Sequence, residues 1–279
     1  MYAFYGHHKC ATMSLNTLAA SVCRRVGLRF SSVFNSEQFY GDLPSYVTSK
    51  NIDFLSYGNA NNEHTNQLPD HRGFHIIRDP RDIVVSAYFS HLHSHPTDNW
   101  PELIQHRKIL KDLSEPDGIA EEIKFRAKSF KHMKMWDYCQ DNILEIRFEN
   151  LVSNNYNTIL SAYDYLGLID NKDYDFLKRC GGLVRELRAT IPNINARAVD
   201  KSRQIKRIPA AELLTLAWRN RFEARSKGRH QGQEDVSNHY RKGKIGDWQQ
   251  YFNPEHKRLF KTLYPDLVPM LGYTESDDW

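Results

Sequence analysis

The chain has few cysteines, no long apolar run and no strong charge of either sign. Its four cysteines, Cys10, Cys23, Cys139 and Cys180, are far apart, which excludes a disulfide scaffold and argues against a metal knuckle. No stretch reaches the roughly 18 apolar residues of a membrane span, and no charged segment near the amino terminus leads into an apolar run. We therefore expect a soluble protein that is not exported and is located in the reducing cytoplasm.

The weak net charge limits the kinds of molecule that the protein can be expected to bind through electrostatic attraction. The 38 lysines and arginines exceed the 34 acidic residues by four, and the excess is spread along the chain. This argues against general nucleic-acid binding but leaves room for a local anion site. The 279 residues show no internal repeat and no recognisable boundary, so one domain spanning residues 1–279 is expected.

Apolar runs alternate with helical patterns along the chain. The predicted strands are "YAFY", "IDFLSY", "GFHII" and "NILEIRF". A first helix is predicted directly after "GHHKCATMS". The other predicted helices are "PRDIVVSAYFSHL", one long helix from Pro116 to Asp141, and "NYNTILSAYDYLG". From Lys172 onward the pattern is mainly helical, apart from a polar loop over residues 225–247. Strands that alternate with helices predict an α/β fold with a central parallel sheet flanked by helices.

The loop between the first strand and the first helix has the outline of an anion site. In parallel sheets, ligands bind beyond the carboxyl ends of the strands, and "HKCATMS" offers a lysine and two hydroxyls there. Lys9 precedes the small residue instead of following a second glycine, so the GK[ST] ending of a nucleotide-triphosphate loop is missing. That order argues against ordinary ATP or GTP chemistry. A capped helix with a solvated lysine is the alternative.

The second candidate loop is "RDPRDIVVS". Asp79 can cap the following helix, Pro80 suits its first turn, and Asp82 favours the positive helix end. Arg78 and Ser86 do not fit that structural explanation, and an arginine at the end of a strand with a hydroxyl beneath it can hold a phosphate. The alternative is that Ser86 is a small residue packed against the sheet.

Together with a third motif, these residues resemble the sulfotransferases that use 3′-phosphoadenosine 5′-phosphosulfate (PAPS). "HKCATMS" is similar to the family's P-K-[SC]-G-T-[TS] loop, and "RDPRDIVVS" matches R-[DN]-P-x-D-x-x-x-S. "RKGKIGDW" matches R-K-G-x-x-G-D-W throughout. The order and spacing of the three motifs carry the resemblance, which extends from Tyr2 to about Phe252. It implies the P-loop NTPase-like sulfotransferase architecture.

The resemblance also implies where the cofactor would bind. "ILEIRFENL" is similar to a strand end of the family and would place Arg147 and Phe148 near the nucleotide. The implied cofactor-binding residues are Lys9, Cys10, Ala11, Thr12, Met13, Ser14, Arg78, Ser86, Phe148, Arg241, Lys242 and Gly243. Ala11 replaces the usual glycine, Met13 replaces a hydroxyl residue, and Ser14 stands where an adenine-stacking tryptophan often occurs. We therefore expect Phe222 to be a candidate for stacking on the base.

The chemistry explains these residue types. Transfer of a sulfuryl group from PAPS to a hydroxyl or amine is an in-line displacement that leaves 3′,5′-adenosine bisphosphate (PAP) and builds negative charge on the bridging oxygen. Lys9 is the expected catalytic cation, and Arg78, Ser86 and the late motif would hold the additional 3′-phosphate. No metal is required.

The general base is the least explicit part of the sequence. In the family it often follows the strand that precedes the Arg-Asp-Pro motif, and here that strand leads into "NANNEHTNQLPDH". We favour His64, which can be unprotonated and basic at neutral pH, over Glu63, His71 and Asp70, and over His7 and His8 in the first loop. A solvated loop histidine is the alternative for His64.

Two other chemical possibilities are less favoured. His91 and His95 have an i, i+4 spacing that can bind zinc, but Pro96 follows at once and no third ligand is evident, so a polar helix end is preferred. Cys10 at a helix start could be a reactive thiol, but its position matches a cofactor-loop residue.

Two rival functions stay open, as does the acceptor. A kinase-like phosphotransferase would use a triphosphate, and a non-catalytic polyanion binder would bind independently of nucleotide and with a strong salt dependence. The candidate acceptor loops "SEQFYGDLPSYV" and "SHLHSHPTDNWPE" are aromatic and polar without a dominant charge. They favour a small or medium-sized hydroxyl-bearing acceptor with apolar character. The family's dimerisation stretch is not recognisable, which leaves the oligomeric state open.

Overall fold

A parallel sheet lies at the centre of the protein. The structure, a computed structural model, describes residues 1–98, 100–170, 207–276 and 278–279. The strands of this sheet are β1 (Tyr2–Gly6), β2 (Phe30–Val33), β3 (Phe54–Tyr57), β4 (Arg72–Ile77) and β5 (Ile143–Arg147). Their spatial order is β2-β3-β1-β4-β5, and every pairing is parallel. This confirms the predicted α/β fold with a central parallel sheet.

The register brings the carboxyl ends of the strands to one edge. Tyr5 of β1 pairs with Tyr57 of β3 on one side and with His75 of β4 on the other. The residues that follow each strand therefore emerge together at one edge of the sheet, where ligands bind in parallel sheets. A second, short parallel pair joins β6 (Ile169–Asp170) to β7 (Ile208–Pro209).

Helices pack on both faces of the sheet. Along β1, Phe4 belongs to one buried apolar cluster, whereas Ala3 and Tyr5 belong to another, because successive side chains of a strand point to opposite faces. The helices are α1 (Thr12–Val26), α2 (Leu43–Ser49), α3 (Asn62–Thr65), α4 (Pro80–Phe89), α5 (Pro101–Asp112), α6 (Glu115–Phe125), α7 (Ala127–Met135), α8 (Phe148–Ser153), α9 (Asn155–Tyr165), α10 (Ala210–Arg219), α11 (Phe222–Arg225), α12 (Trp248–Tyr251), α13 (Pro254–Leu263) and α14 (Leu267–Met270).

The sequence pattern did not reveal edge strand β2. Its middle residues are polar, and both are bonded: the hydroxyls of Ser31 and Tyr46 lie 2.8 Å apart, and Ser32 accepts from the side-chain amide of Asn16 at 2.9 Å. A strand at the edge of the sheet needs no continuous apolar run, so periodicity alone gives little signal for it.

The prediction of one long helix from Pro116 to Asp141 is wrong. The segment divides into α6 and α7 at Arg126, and α7 ends at Met135 because Trp136 is extended. The indole of Trp136 is buried, stacks on His75 with ring centroids 4.1 Å apart, and donates to the carboxylate of Glu145 at 2.8 Å. These contacts with the sheet replace the continuation of the helix.

The later part of the chain agrees with its predicted pattern where it is described. Residues 226–247 contain no regular helix or strand, as their polar composition indicated. Residues 171–206, which include Cys180 and the first part of the region predicted to be helical from Lys172 onward, lie outside the described residues. Among the described residues, no helix is long and apolar enough to cross a membrane.

Candidate functional site

The first two motifs meet at the carboxyl edge of the sheet. The loop after β1 carries Lys9, and Arg78 follows β4, the neighbouring strand. The guanidinium of Arg78 donates to the backbone carbonyl of Lys9 at 3.2 Å. Two cationic side chains from distant parts of the sequence are thus held next to each other.

The loop after β1 leaves the start of α1 open. Lys9 and Ala11 adopt left-handed backbone conformations, with φ of 68° and 59°, and Ala11 is the N-cap residue without a side-chain cap bond. The first backbone N–H groups of a 15-residue helix therefore lack a capping side chain and can face an anion. Ala11 adopts the left-handed conformation in place of the family's glycine, at a cost of roughly 1–2 kcal/mol.

The hydroxyl and thioether residues of this loop are placed differently. Thr12 is buried, and its hydroxyl donates to the carbonyl of His7 at 3.1 Å. Met13 is exposed, and the Ser14 hydroxyl donates to the carbonyl of Asn220 at 3.4 Å. Thr12 therefore fixes the loop, and Ser14 connects it with the residues just before α11.

Lys9 lies in a strongly positive environment. Burial among protein atoms, together with the charges of Arg78 and Arg126, lowers the pKa of Lys9 to about 7, whereas Glu122 acts in the opposite direction. The side chain of Lys9 keeps partial surface exposure. The value of about 7 describes Lys9 with no anion beside it.

Arg78 is buried and only partly satisfied. Its guanidinium lies 4.3 Å from the ring centroid of Phe148 and 3.9 Å from a carboxylate oxygen of Asp82. Its Nε is buried and has no hydrogen-bond partner. Ser86 is the single residue of α4 that is not buried, which places its hydroxyl in a gap of an otherwise covered helix.

Asp82 joins the second motif to the late motif. Its carboxylate accepts from the backbone N–H of Gly246 at 2.7 Å and from that of Trp248 at 2.9 Å. Arg81 adds a cation–π contact, 3.9 Å from the indole of Trp248. Asp79 caps α4 by accepting from the N–H of Arg81, as predicted. The prediction placed Asp82 only at the positive end of the helix and did not include its bonds to the late motif.

The late motif brings Phe222 to the same region. Gly243 has a φ of 63°, and a Cβ atom there would lie 2.7 Å from carbon atoms of the Phe222 ring. The side chains of Arg241 and Lys242 both bond to the carboxylate of Asp247, and Arg241 also bonds to Glu234. The adenine-stacking candidate therefore packs directly on the late glycine.

The end of β5 contributes one residue to this region. Phe148 lies under the guanidinium of Arg78. The guanidinium of Arg147 instead donates to the carbonyl of Gly272 at 2.9 Å and to that of Leu271 at 3.2 Å. Arg147 thus contacts the carboxyl-terminal segment of the chain.

The candidate bases lie at different ends of the sheet. His64 is on α3, which follows β3, and the loop before α3 donates from the Ala60 N–H to the Gly6 carbonyl at 2.9 Å. His64 Nδ1 lies 3.0 Å from the Tyr57 hydroxyl, and the neighbouring Glu63 is exposed. His71 and Asp70 precede β4, so they emerge at the amino edge of the sheet, away from Lys9. Geometry thus favours His64 over the latter two.

The two histidines of the first loop are held by different partners. His7 is buried and packs edge-on against His75, with ring centroids 4.9 Å apart. His8 Nδ1 lies 2.8 Å from a guanidinium nitrogen of Arg126. Because a guanidinium only donates, His8 Nδ1 is the acceptor and its proton is on Nε2.

A buried histidine–glutamate–arginine network, which sequence spacing did not reveal, lies behind His8. One oxygen of Glu122 accepts from His91 Nδ1 at 2.9 Å and from His106 Nε2 at 2.7 Å, and its other oxygen lies 2.8 Å from Arg126 Nε. The ligand atoms of His91, His106 and Glu122 lie within 4.8 Å of one another. The guanidinium already neutralises Glu122, so we assign these residues to a hydrogen-bonded network. His95, which the i, i+4 spacing had paired with His91, is not part of this trio.

Cys10 has the properties of a structural residue. It is buried, and burial raises the pKa of its thiol to about 12. A reactive cysteine needs an accessible thiolate, which this environment disfavours. The preference for a cofactor-loop residue is therefore consistent with its surroundings.

Comparisons with known proteins support one fold. No protein-family model and no curated protein sequence matches the chain. Solved structures do match, including the following three. Mouse sulfotransferase SULT7A1 complexed with PAP is 19% identical, with a TM-score of 0.55, over 96% of this chain and 84% of that chain. Retinol dehydratase in complex with androsterone and PAP is 14% identical, with a TM-score of 0.52, and its complex with retinol and PAP is 13% identical, with a TM-score of 0.50; each match covers 96% of this chain and 80% of that chain. The chain therefore has the fold of the sulfotransferases.

Proposed function

We propose that the protein is a sulfotransferase that moves a sulfuryl group from PAPS to a hydroxyl or amine by in-line displacement. The observation that carries the proposal is an uncompensated cationic site. Arg78 has a buried Nε without a hydrogen-bond partner, and Lys9 has a lowered pKa. Both residues lie next to the start of α1, which has no capping side chain. An anion bound there would satisfy Arg78 and restore the charge of Lys9.

The residues fit a nucleotide that carries anionic groups at two positions. Lys9 and the first backbone amides of α1 would hold the phosphosulfate, and Arg78 with the Ser86 hydroxyl would hold the 3′-phosphate. Phe222, packed on Gly243, would stack on the base. When bound, PAPS supplies the activated sulfuryl group. Lys9 would stabilise the charge that develops on the bridging oxygen, a type of interaction that lowers the barrier by about 3–4 kcal/mol in other enzymes.

The acceptor and its location belong to the same proposal. We propose a small or medium-sized acceptor that bears a hydroxyl group and has apolar character, with no nucleic-acid partner, in the cytoplasm. Support comes from the aromatic and polar residues beside Lys9, where the ring of His8 lies 5.7 Å from that of Trp100. The protein would act on this acceptor without a metal, because fixed cations meet the developing charge.

Ligand-induced thermal stabilisation tests the proposal. We expect PAP to raise the melting temperature more than ATP with magnesium does, because the first loop lacks the triphosphate-binding ending. Adenosine 5′-monophosphate is the matched control, because it lacks only the 3′-phosphate. It should stabilise the wild-type protein less than PAP does. The Arg78→Ala variant should be stabilised about equally by the two nucleotides.

Two results would contradict the proposal. Stronger stabilisation by ATP with magnesium would favour a phosphotransferase. Stabilisation by heparin that is lost with added salt, with no effect of PAP, would favour a polyanion binder. Transfer of radiolabelled sulfate from PAPS to a panel of hydroxyl compounds then identifies the acceptor.

A further inference from the structure

A cluster of aromatic rings lies close enough to Lys9 to interact with its charge. We call His8, His91, His95 and Trp100 the histidine–tryptophan cluster. The ring centroid of His8 lies 5.2 Å from those of both His91 and His95, and that of His95 lies 5.4 Å from that of Trp100. Since His8 directly precedes Lys9, these rings neighbour the cationic site. The proposed cofactor site uses none of them.

The hydrogen bonds of His95 fix its tautomer. Its Nδ1 lies 2.7 Å from the backbone carbonyl of Pro96. A carbonyl only accepts, so Nδ1 carries the proton and Nε2 has a free lone pair. The ring is half-buried, which leaves it within reach of a bound molecule. His95 therefore presents a basic nitrogen in a fixed orientation.

The other two histidines of the cluster cannot serve in this way. The lone pair of His8 is occupied by Arg126, as its hydrogen bond shows. His91 is fully buried and donates to Glu122, so it forms the floor of the cluster. The network beneath His91 supports the position of His95 but leaves no other accessible lone pair in the cluster.

The backbone around His95 is held in place from α5. The guanidinium of Arg107 donates to the carbonyl of His95 at 2.6 Å and also to the carbonyl of His91. Between these two residues the chain forms a π-helical turn, Ser90–Ser94, at the end of α4. Turns of this type occur frequently at functional sites. The turn connects the helix that carries Ser86 to His95, so both are placed by one element.

We propose that His95, through Nε2, is the general base that deprotonates the acceptor hydroxyl; this rests on the proposed function. The proton would move from the acceptor oxygen to Nε2 while the acceptor oxygen forms a bond to sulfur. The bond between sulfur and the bridging oxygen breaks, and its electron pair leaves with PAP. His95 thus competes with His64, whose Nδ1 contacts the Tyr57 hydroxyl and whose ring packs on Phe39.

Burial and the charges around His95 keep its ring unprotonated at neutral pH. Burial lowers its pKa below the usual 6.5, the bond to the Pro96 carbonyl acts in the opposite direction, and nearby cations lower it further. The groups that face it are Lys9, Arg107, Arg126, His239, His8 and His91. Since the base must be unprotonated, activity should fall on acidification through this lowered pKa and stay constant above it.

The first experiment needs no acceptor. Nitrogen-15 NMR of the histidine rings reports which nitrogen carries the proton, with His95→Gln used to assign the signal. We expect the Nδ1–H tautomer for His95 in the complete protein with PAP bound. Observation of the Nε2–H tautomer would overturn the proposal, because the basic nitrogen would then face the Pro96 carbonyl.

The second experiment compares variants in sulfuryl transfer. With radiolabelled PAPS, and with water and a panel of alcohols and phenols as acceptors, His95→Gln should lower kcat about 10²–10⁴-fold and lose the acidic limb of the pH profile. Its affinity for PAP should stay unchanged. His93→Gln, an exposed neighbour on the same turn, is the matched control and should behave like wild type. Imidazole should partly restore His95→Gly.

The outcomes separate the two proposals. If His95→Gln keeps wild-type turnover and the acidic limb while His64→Gln loses both, the assignment to His95 is wrong and the proposed function stands. If wild type neither binds PAP nor transfers sulfate to any acceptor, the proposed function fails, and the assignment fails with it.

Discussion

The lowered pKa of Lys9 predicts that cofactor binding is coupled to protonation. If the ammonium form binds the anionic nucleotide, the proton that Lys9 lacks in the free protein must be taken up on binding. With a pKa of about 7, about nine in ten Lys9 side chains are neutral at pH 8, so binding of PAP there should take up about 0.9 proton. Affinity should fall about tenfold per pH unit above pH 7, until the pKa of bound Lys9 is reached.

Other titrating groups can be separated from Lys9. The second pKa of the 5′-phosphate of PAP is about 6, so the charge of this phosphate is nearly constant from pH 7 to pH 9. Stability without ligand should change in the opposite direction. The pKa of Lys9 is lower in the folded than in the unfolded chain, so its contribution to the free energy of unfolding increases as pH rises from about 7 to 10.5.

Isothermal titration calorimetry measures the coupling directly. Titrations of PAP in two buffers with different ionisation enthalpies give the number of protons taken up, and Lys9→Met is the control that should take up none. The affinities of Lys9→Met and wild type should converge as pH rises, because Lys9 becomes neutral. Equal affinity of wild type at pH 7 and pH 9, or the same slope in Lys9→Met, would refute the reasoning.

Three further predictions concern the same edge of the sheet. Arg78→Ala should weaken PAP binding by about 1.5–3 kcal/mol, from the loss of a charge-assisted hydrogen bond, with a smaller effect on turnover; calorimetry and single-turnover kinetics check this. Ala11→Gly should raise the free energy of unfolding by about 1 kcal/mol, since φ is 59° there, whereas Ala20→Gly within α1 should lower it by about as much; urea unfolding compares them. Iodoacetamide at pH 8 should alkylate the exposed Cys139 and spare Cys10, whose pKa is raised to about 12, and mass spectrometry of the peptides would show the reverse if Cys10 were the reactive thiol.

Much of the fold can be predicted from the sequence, because its internal strands are apolar. β3 and most of β1 and β4 are buried on both faces, so their residues form short apolar runs between loops. Gly27, which follows the last residue of α1, adopts the left-handed φ of 75° that is typical of a glycine at a helix end. Periodicity failed where side chains serve tertiary contacts, as at the polar edge strand β2 and at Trp136, which ends α7 by packing on the sheet.

The candidate site was predictable only in part, for a different reason. Motif spacing places Lys9 and Arg78 after the ends of two strands, where ligands bind in parallel sheets. Spacing carries no information about pairs such as Glu122 with His106, which are 16 residues apart and meet across two helices. The tautomer of His95 depends on a single carbonyl contact, so it required coordinates.

The bonds of Asp82 join the second and third motifs in the structure. Burial raises the pKa of this carboxyl, so ionising it is costly unless donors meet it. The donors are the backbone amides of Gly246 and Trp248, and the left-handed φ of 70° at Gly246 favours glycine. The same carboxylate lies 3.9 Å from Arg78, so the loop that ends in "GDW" is bonded to the helix that begins directly after Arg78 and Asp79. A change at either motif should therefore alter the other, although more than 160 residues separate them.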